Sequence, residues 1–186
     1  MSDGTALLLV DLQSAVFGGF GIPPAHEPDL LLRNASALLR EARAAGVPIV
    51  HVQHCAGPGE VLEEGTPGWP IAPRLLPAGT EPVVQKRASN AFEGTDLHAV
   101  LQALGAGTIV VTGIQSERCV TATCRGALAL GYSVRLAQDG HSTWPDATRS
   151  AEEIIAAQNE ALEREGVRLA STDGLAGWLR AQRPVD

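Results

Sequence analysis

The chain is almost devoid of lysine: of 14 basic residues in 186, thirteen are Arg and one, Lys86, is Lys. Aromatic side chains make up only 4%, with one tyrosine and one methionine, so a core has to be assembled from Leu, Val, Ile and Ala. Positive charge is outnumbered, 14 basic against 21 acidic residues for a formal net charge of −7. That balance argues against a nucleic-acid or anionic-membrane binder, both of which need clustered cations. No apolar run approaches the roughly 18–20 residues that span a bilayer. The first residues enter a strand-like run with no basic stretch and no cleavage site, so no secretory signal is expected. Three cysteines without Cys-x-x-Cys spacing are too few for a disulfide framework, and a cytoplasmic location is expected.

What remains is an ordinary globular composition, 45% apolar and 19% charged, of a length that favours one domain. Short apolar runs alternate with stretches of helical period. Strands are predicted at 6–10, 47–51, 81–85, 108–112, 133–137 and 167–170. Helices are predicted over 29–45, stopped by Gly46 and Pro48, and from Thr95 to Gly105. Another runs over 116–130, and two more lie beyond the capping-box pair Ser150 and Glu153 and around Leu175 to Leu179. Strands that are apolar throughout, joined by helices, imply a parallel sheet covered on both faces. The expected fold is a three-layer α/β/α sandwich on a six-stranded parallel sheet. The Gly- and Pro-rich stretch at about 55–80 has no helical period, and Trp69 and Ile71 within it suggest an ordered substrate or lid loop.

Ligands bind outside the carboxyl ends of such strands, and three complementary groups stand there: Asp11, Lys86 and Cys119. With Ser116 as N-cap, Cys119 would lie in the first turn of a helix, where the dipole favours thiolate. Lys86 would favour it further, while Asp11 could take the thiol proton. Each group also has a plainer reading. Asp after a strand caps turns, lysine is usually solvated, and cysteine is often a small buried hydrophobe, as is expected of Cys124.

These residues carry a likeness. Asp11-Leu12-Gln13, Lys86 followed by Asn90-Ala91-Phe92, and Gly113-Ile114-Gln115-Ser116-Glu117-Arg118-Cys119-Val120 followed by Thr123, Ala127 and Gly131-Tyr132 resemble the isochorismatase-like cysteine hydrolases. That superfamily includes nicotinamidases and N-carbamoylsarcosine amidohydrolases, and the resemblance runs from about residue 5 to 175. It implies an Asp-Lys-Cys triad on Asp11, Lys86 and Cys119, and a cis peptide at Ile114–Gln115. It further implies an oxyanion hole from the backbone N–H groups of Gln115 and Cys119, and hydrolysis of a small amide-type substrate. A homodimer or homotetramer is expected from the same likeness.

Departures from the family pattern carry information too. Metal-dependent nicotinamidases have an Asp-x-His pair and a further His after the second strand, whereas this chain reads His51-Val52-Gln53-His54-Cys55. Two His three apart on a strand face opposite sides, so no metal and no cofactor is expected. His54 could touch substrate or serve as a loop hydrogen-bond donor. Gln13, Trp69 and Phe92 are candidate substrate-binding walls, with packing as the plainer role. Arg87 and Arg118 are candidates for a carboxylate partner. Isochorismatases proper cleave a vinyl ether without needing the cysteine, so Cys119 points to C–N hydrolysis. The alternatives are a vinyl-ether hydrolase and a non-catalytic binder of a small carbonyl metabolite.

Overall fold

The computed structural model describes residues 4–182. Within them one sheet of six parallel strands contains β1 (Gly4–Val10), β2 (Ile49–His54), β3 (Val83–Lys86), β4 (Ala106–Ile114), β5 (Ser133–Ser142) and β6 (Arg168–Ala170). Its order is β3-β2-β1-β4-β5-β6. The helices are α1 (Pro28–Ala45), α2 (Leu97–Ala103), α3 (Thr121–Ala129), α4 (Ala151–Arg164) and α5 (Thr172–Arg180). The α/β/α sandwich expected from the sequence is therefore the observed architecture.

The all-apolar strands explain the layering. Along β1, Leu7 and Leu9 pack on one face with Leu38 of α1 and Leu179 of α5. Ala6, Leu8 and Val10 pack on the other with Leu101 of α2, Ala127 of α3 and Leu162 of α4. Each fully buried Leu contributes about 1.5–3 kcal/mol relative to exposure, so β1 fixes both layers at once. Gly46, left-handed at φ 69°, ends α1. The capping box of Ser150 and Glu153 opens α4 as the sequence indicated.

Most boundaries shift by one or two residues, as at β3, β4 and α2, and three elements differ from the sequence expectation by more. The second strand starts at Ile49, with the Pro48 carbonyl accepting its first bond from Leu7 N–H of β1, and it continues through polar Gln53 and His54, which the apolar pattern could not include. The fifth strand runs five residues past Ala137 to Ser142. A shift in register lets Gly113 pair with His141 and Ile114 with Ser142. The predicted helix over 116–130 is one turn of π-helix (Ser116–Val120) followed by α3. Gln115, not Ser116, precedes it, and the Ser116 side chain bonds His141 rather than capping.

Connections leave β1 toward β2 and β4 toward β5, in opposite directions along the sheet, so the carboxyl ends of β1 and β4 flank a crevice. The stretch at 55–80 is packed against this end: Ile71 bridges Gln13 in antiparallel fashion and Leu75 is fully buried. Among the described residues no helix is long and apolar enough to cross a membrane.

Candidate active site

Strand ends deliver each polar group to the crevice. Asp11 follows β1 in the left-handed region at φ 55°, a conformation that Asp tolerates better than most residues. Its N–H donates to Val52 O at 2.9 Å, and its carbonyl accepts from Gln13 N–H at 2.8 Å. Lys86 ends β3, opposite His54 in register, so its stem must cross β2 to reach β1. Its Nζ lies 2.8 Å from Asp11 Oδ2 and donates to Cys119 Sγ at 3.2 Å and to Ala88 O at 3.1 Å. These three nearest acceptors match the three protons of an ammonium, with His54 Nδ1 farther off at 3.4 Å; a compact ammonium suits this packing better than a planar guanidinium fork. The solitary lysine of the sequence is thus placed where its shape matters.

Cys119 is brought to the same point by the end of β4. A Cβ at Gly113 would collide with the Val10 carbonyl, so glycine lets β4 approach β1 just before the chain turns. The Ile114–Gln115 peptide is cis. The Gln115 carbonyl accepts from the N–H groups of Arg118 and Val120, each at 3.1 Å, which ties down the turn that carries Cys119.

The electrostatics correct one expectation. Burial, reinforced by the Asp11 carboxylate, pushes the Cys119 thiol up to about 11, despite the opposing pull of Lys86. The helix start does not make the sulfur anionic; a neutral thiol is the resting form at neutral pH. Burial also lifts the Asp11 carboxyl above its usual value, with Lys86 opposing. Burial disfavours the Lys86 ammonium, yet Asp11 and Cys119 hold it above the usual lysine value. Asp11 Oδ1 is buried with no hydrogen-bond partner. The cluster thus joins the thiol and the ammonium to a carboxyl group whose Oδ1 has no hydrogen-bond partner.

A cleft of about 160 Å³ opens on this group, lined by Asp11, His54, Leu62, Ser89, Ile114, Gln115, Arg118, Cys119 and Trp144 among others. Of the four residues expected to bind substrate, only His54 lines it. Burial, then the Lys86 charge, keeps the His54 imidazole below its usual value, and its Nδ1 lies 3.4 Å from Lys86 Nζ. Gln13 is fully buried, and its amide donates to His54 O and Trp69 O while accepting from His54 N–H. It clamps the 55–80 segment to β1 and β2 and has no polar atom left for substrate. Trp69 supplies the carbonyl in that clamp, which Gln53 also holds. Phe92 stacks on Tyr132 with ring centroids 5.9 Å apart.

The aromatic wall of the cleft is Trp144, whose indole donates to Pro23 O at 2.8 Å. Composition offered no way to choose it over the other tryptophans, because it follows the polar half of β5. Arg118 lines the cleft, while Arg87 lines a neighbouring cavity beside Lys86. His51 and His54 part company as their spacing requires: His51 bonds Glu81 at 3.0 Å. No group of three or more metal-ligating side chains is found among the described residues.

The chain is similar to known proteins over most of its length. The family model for the isochorismatase domain matches residues 5–173. Streptothricin hydrolase of Streptomyces noursei is 41% identical over 140 residues, covering 75% of this chain and 50% of that protein. The chain thus spans about half the length of the streptothricin hydrolases that it matches. Ureidoacrylate amidohydrolase RutB of Agrobacterium fabrum (strain C58 / ATCC 33970) is 28% identical over 185 residues, covering 79% of this chain and 80% of that protein. A crystal structure from the isochorismatase family of Chromobacterium violaceum ATCC 12472 superposes with a TM-score of 0.87 at 34% identity, covering 96% of this chain and 94% of that one.

Proposed function

Since the chain belongs to the isochorismatase family, we propose that it hydrolyses a C–N bond of a small amide, ureido or lactam compound through a thioester on Cys119. The observation that carries this reading is the Lys86 ammonium, 2.8 Å from Asp11 and 3.2 Å from Cys119 at the crevice between β1 and β4. The names of two relatives, a streptothricin hydrolase and a ureidoacrylate amidohydrolase, support hydrolytic chemistry. A cleft of about 160 Å³ suits a small reacting group.

In this mechanism Cys119 Sγ bonds to the substrate carbonyl carbon as its proton passes to Asp11, whose free oxygen is available to accept it. Proton transfer coupled to attack is what a neutral thiol beside a carboxylate base allows. Negative charge moves onto the carbonyl oxygen and is received by the N–H groups of Gln115 and Cys119. Helix-start amides have no carbonyl a turn earlier to bond, and removing one such donor typically costs about 10²–10³ in rate. Collapse breaks the C–N bond, and Asp11 returns the proton to the leaving nitrogen. Water then attacks the thioester with Asp11 again as base, releasing the carboxylic or carbamic acid and restoring the thiol. Lys86 holds the carboxylate in place and keeps both developing anions paired. Leu62 of the 55–80 segment contributes to the substrate-side wall.

The reading extends to a homodimer or homotetramer, and to a reducing cytoplasm that suits three unpaired cysteines. A panel of small amides, ureides and lactams, assayed for ammonia or amine release with and without a chelator, tests it. Turnover insensitive to the chelator, abolished by Cys119→Ala, and accompanied by an acyl adduct in intact-mass spectra is expected. Full activity in Cys119→Ala overturns it.

A further inference from the structure

Behind the turn that carries Cys119 runs a second polar chain that the mechanism above does not use. Ser116, fully buried one residue after the cis peptide, has its hydroxyl 2.8 Å from His141 Nδ1. His141, also buried, has its Nε2 2.9 Å from Asn159 Oδ1. Asn159 in turn donates from Nδ2 to the Gln138 carbonyl at 3.1 Å. The chain therefore links α4, the polar end of β5 and the nucleophile turn.

The proton inventory leaves one arrangement. Asn159 uses its NH₂ on Gln138, so its oxygen faces the imidazole and must accept from it. His141 Nε2 therefore carries a hydrogen. Burial keeps this imidazole below its ordinary value, so the ring is neutral and Nδ1 is a bare acceptor. The Ser116 hydroxyl must then donate to Nδ1. Each bond has one direction, and the directions agree from Asn159 to Ser116. The backbone at Ser116 is held from a second side as well, because its carbonyl accepts from Thr121 Oγ1 at 2.6 Å.

We infer that Asn159 and His141 are positioning residues, which fix Ser116 and thereby aim the flanking amides of Gln115 and Cys119 at the oxygen of the attacked carbonyl. The inference rests on the hydrolase reading, since it assigns those amides a task. Ser116 and His141 form the buried part of the chain and Asn159 its outer end; a satisfied network of this kind rigidifies what it holds, and misplacement of a reacting or stabilising group by about 1 Å can cost 10²-fold. The expected effect is thus on carbonyl chemistry and not on the thiol itself.

Two small reagents separate these effects without knowledge of the natural substrate. p-Nitrophenyl acetate acylates a cysteine through a tetrahedral oxyanion: the S–C bond forms, the C–O bond to p-nitrophenolate breaks, and the thiol proton goes to Asp11. Iodoacetamide alkylates the same sulfur by direct displacement of iodide, with no oxyanion. In Ser116→Ala and Asn159→Leu the acylation rate should fall about ten- to a hundredfold, while the alkylation rate of Cys119 stays within about twofold of the parent. The double variant should lose no more than the worse single one, as members of one chain do. Asn159→Asp, which keeps an acceptor on Nε2, should retain most of the acylation rate.

Equal losses in both reactions, or unchanged acylation in both single variants, overturn the inference. Additive losses in the double variant also overturn it. A parent protein whose Cys119 is alkylated but never acylated removes the hydrolase reading itself, and this inference with it.

Discussion

Two charged clusters occupy opposite ends of the β2–β3 pair, one partly open to water and one buried, and they are built to different rules. At the amino end, Glu81 accepts from Arg43 Nε and Nη2 at 2.8 Å each and from Ala78 N–H at 2.9 Å, and lies 3.0 Å from His51 Nε2. Both of its oxygens are engaged. Burial resists its ionisation, but Arg43, the Ala78 amide and His51 outweigh burial and bring the carboxyl down to about 2. At the carboxyl end, Asp11 has Lys86 on one oxygen and no hydrogen-bond partner on the other, and burial lifts its carboxyl above the usual value. A saturated carboxylate is a staple. A carboxylate short of donors can take a proton, and such unsaturation concentrates at sites of chemistry.

The largest effect should come from breaking the unsaturated cluster. Asp11→Asn keeps the shape and tolerates the left-handed backbone, but removes the base. On any amide that the parent turns over, kcat should fall by about 10²–10⁴. The matching change at the other end, Glu81→Gln, should leave kcat within about twofold of the parent. Equal losses of activity from the two substitutions would erase the distinction between the clusters.

The next effect lies in the thiol. With Cys119 pushed up to about 11 by burial and then by Asp11, its alkylation by iodoacetamide should keep rising with pH well past neutrality, without a plateau near pH 7. Asp11→Asn removes the carboxylate that raises it, so the profile should move to lower pH. Cys124, pushed up to about 12 by burial, should stay unlabelled in the folded protein. A Cys119 profile already flat at pH 7 would show a resting thiolate and contradict this account of the cluster.

How far the sequence reveals these two clusters depends on what kind of signal each residue emits. Asp11, Lys86 and Cys119 stand at the ends of apolar strands, and hydrophobic patterning locates strand ends well. Their convergence then follows from parallel topology. The β2 register was less legible, since His51, Gln53 and His54 are polar residues inside a central strand, covered by partners from elsewhere in the chain. For the same reason Gln138 to Ser142 read as loop, which hid both Trp144 and the His141 chain. Gln13 and Phe92 have side chains that suit a pocket, but backbone carbonyls and Tyr132 claim them. Local patterning shows which residues can bond; it does not show which partner arrives first. The state of the thiol escapes the sequence because a helix start is visible there, whereas desolvation by a folded crevice is not.

A stability measurement should sharpen the same comparison. Glu81→Gln leaves Arg43 and buried His51 with a weaker acceptor, which should lower unfolding free energy by about 1–3 kcal/mol in urea titrations. The parent should also show the linkage. Glu81 is an acid with a depressed folded value, so its contribution is complete above the ordinary glutamate value of 4.5 and is lost as pH falls from there toward about 2. The difference between parent and Glu81→Gln should therefore shrink on acidification through that window. A difference that persisted unchanged to pH 2 would mean that Glu81 is not the staple described.

The smallest effect belongs to the pair with some of the shortest distances. Arg125 reaches Glu165 with both Nε and Nη2, at 2.7 and 2.6 Å, closer than Lys86 lies to Asp11. Yet their side chains are 52% and 37% exposed, so water and salt screen the attraction, and ordering two long side chains offsets much of what remains. Arg125→Ala should change unfolding free energy by no more than about 1 kcal/mol and should leave kcat unaltered, with the small loss fading as salt is raised. If instead it destabilised the chain as much as Glu81→Gln, geometry alone would set the strength of an ion pair here. Exposure to water would then no longer separate this pair from the better-shielded Glu81 cluster, whose Glu81 and Arg43 side chains are 14% and 35% exposed.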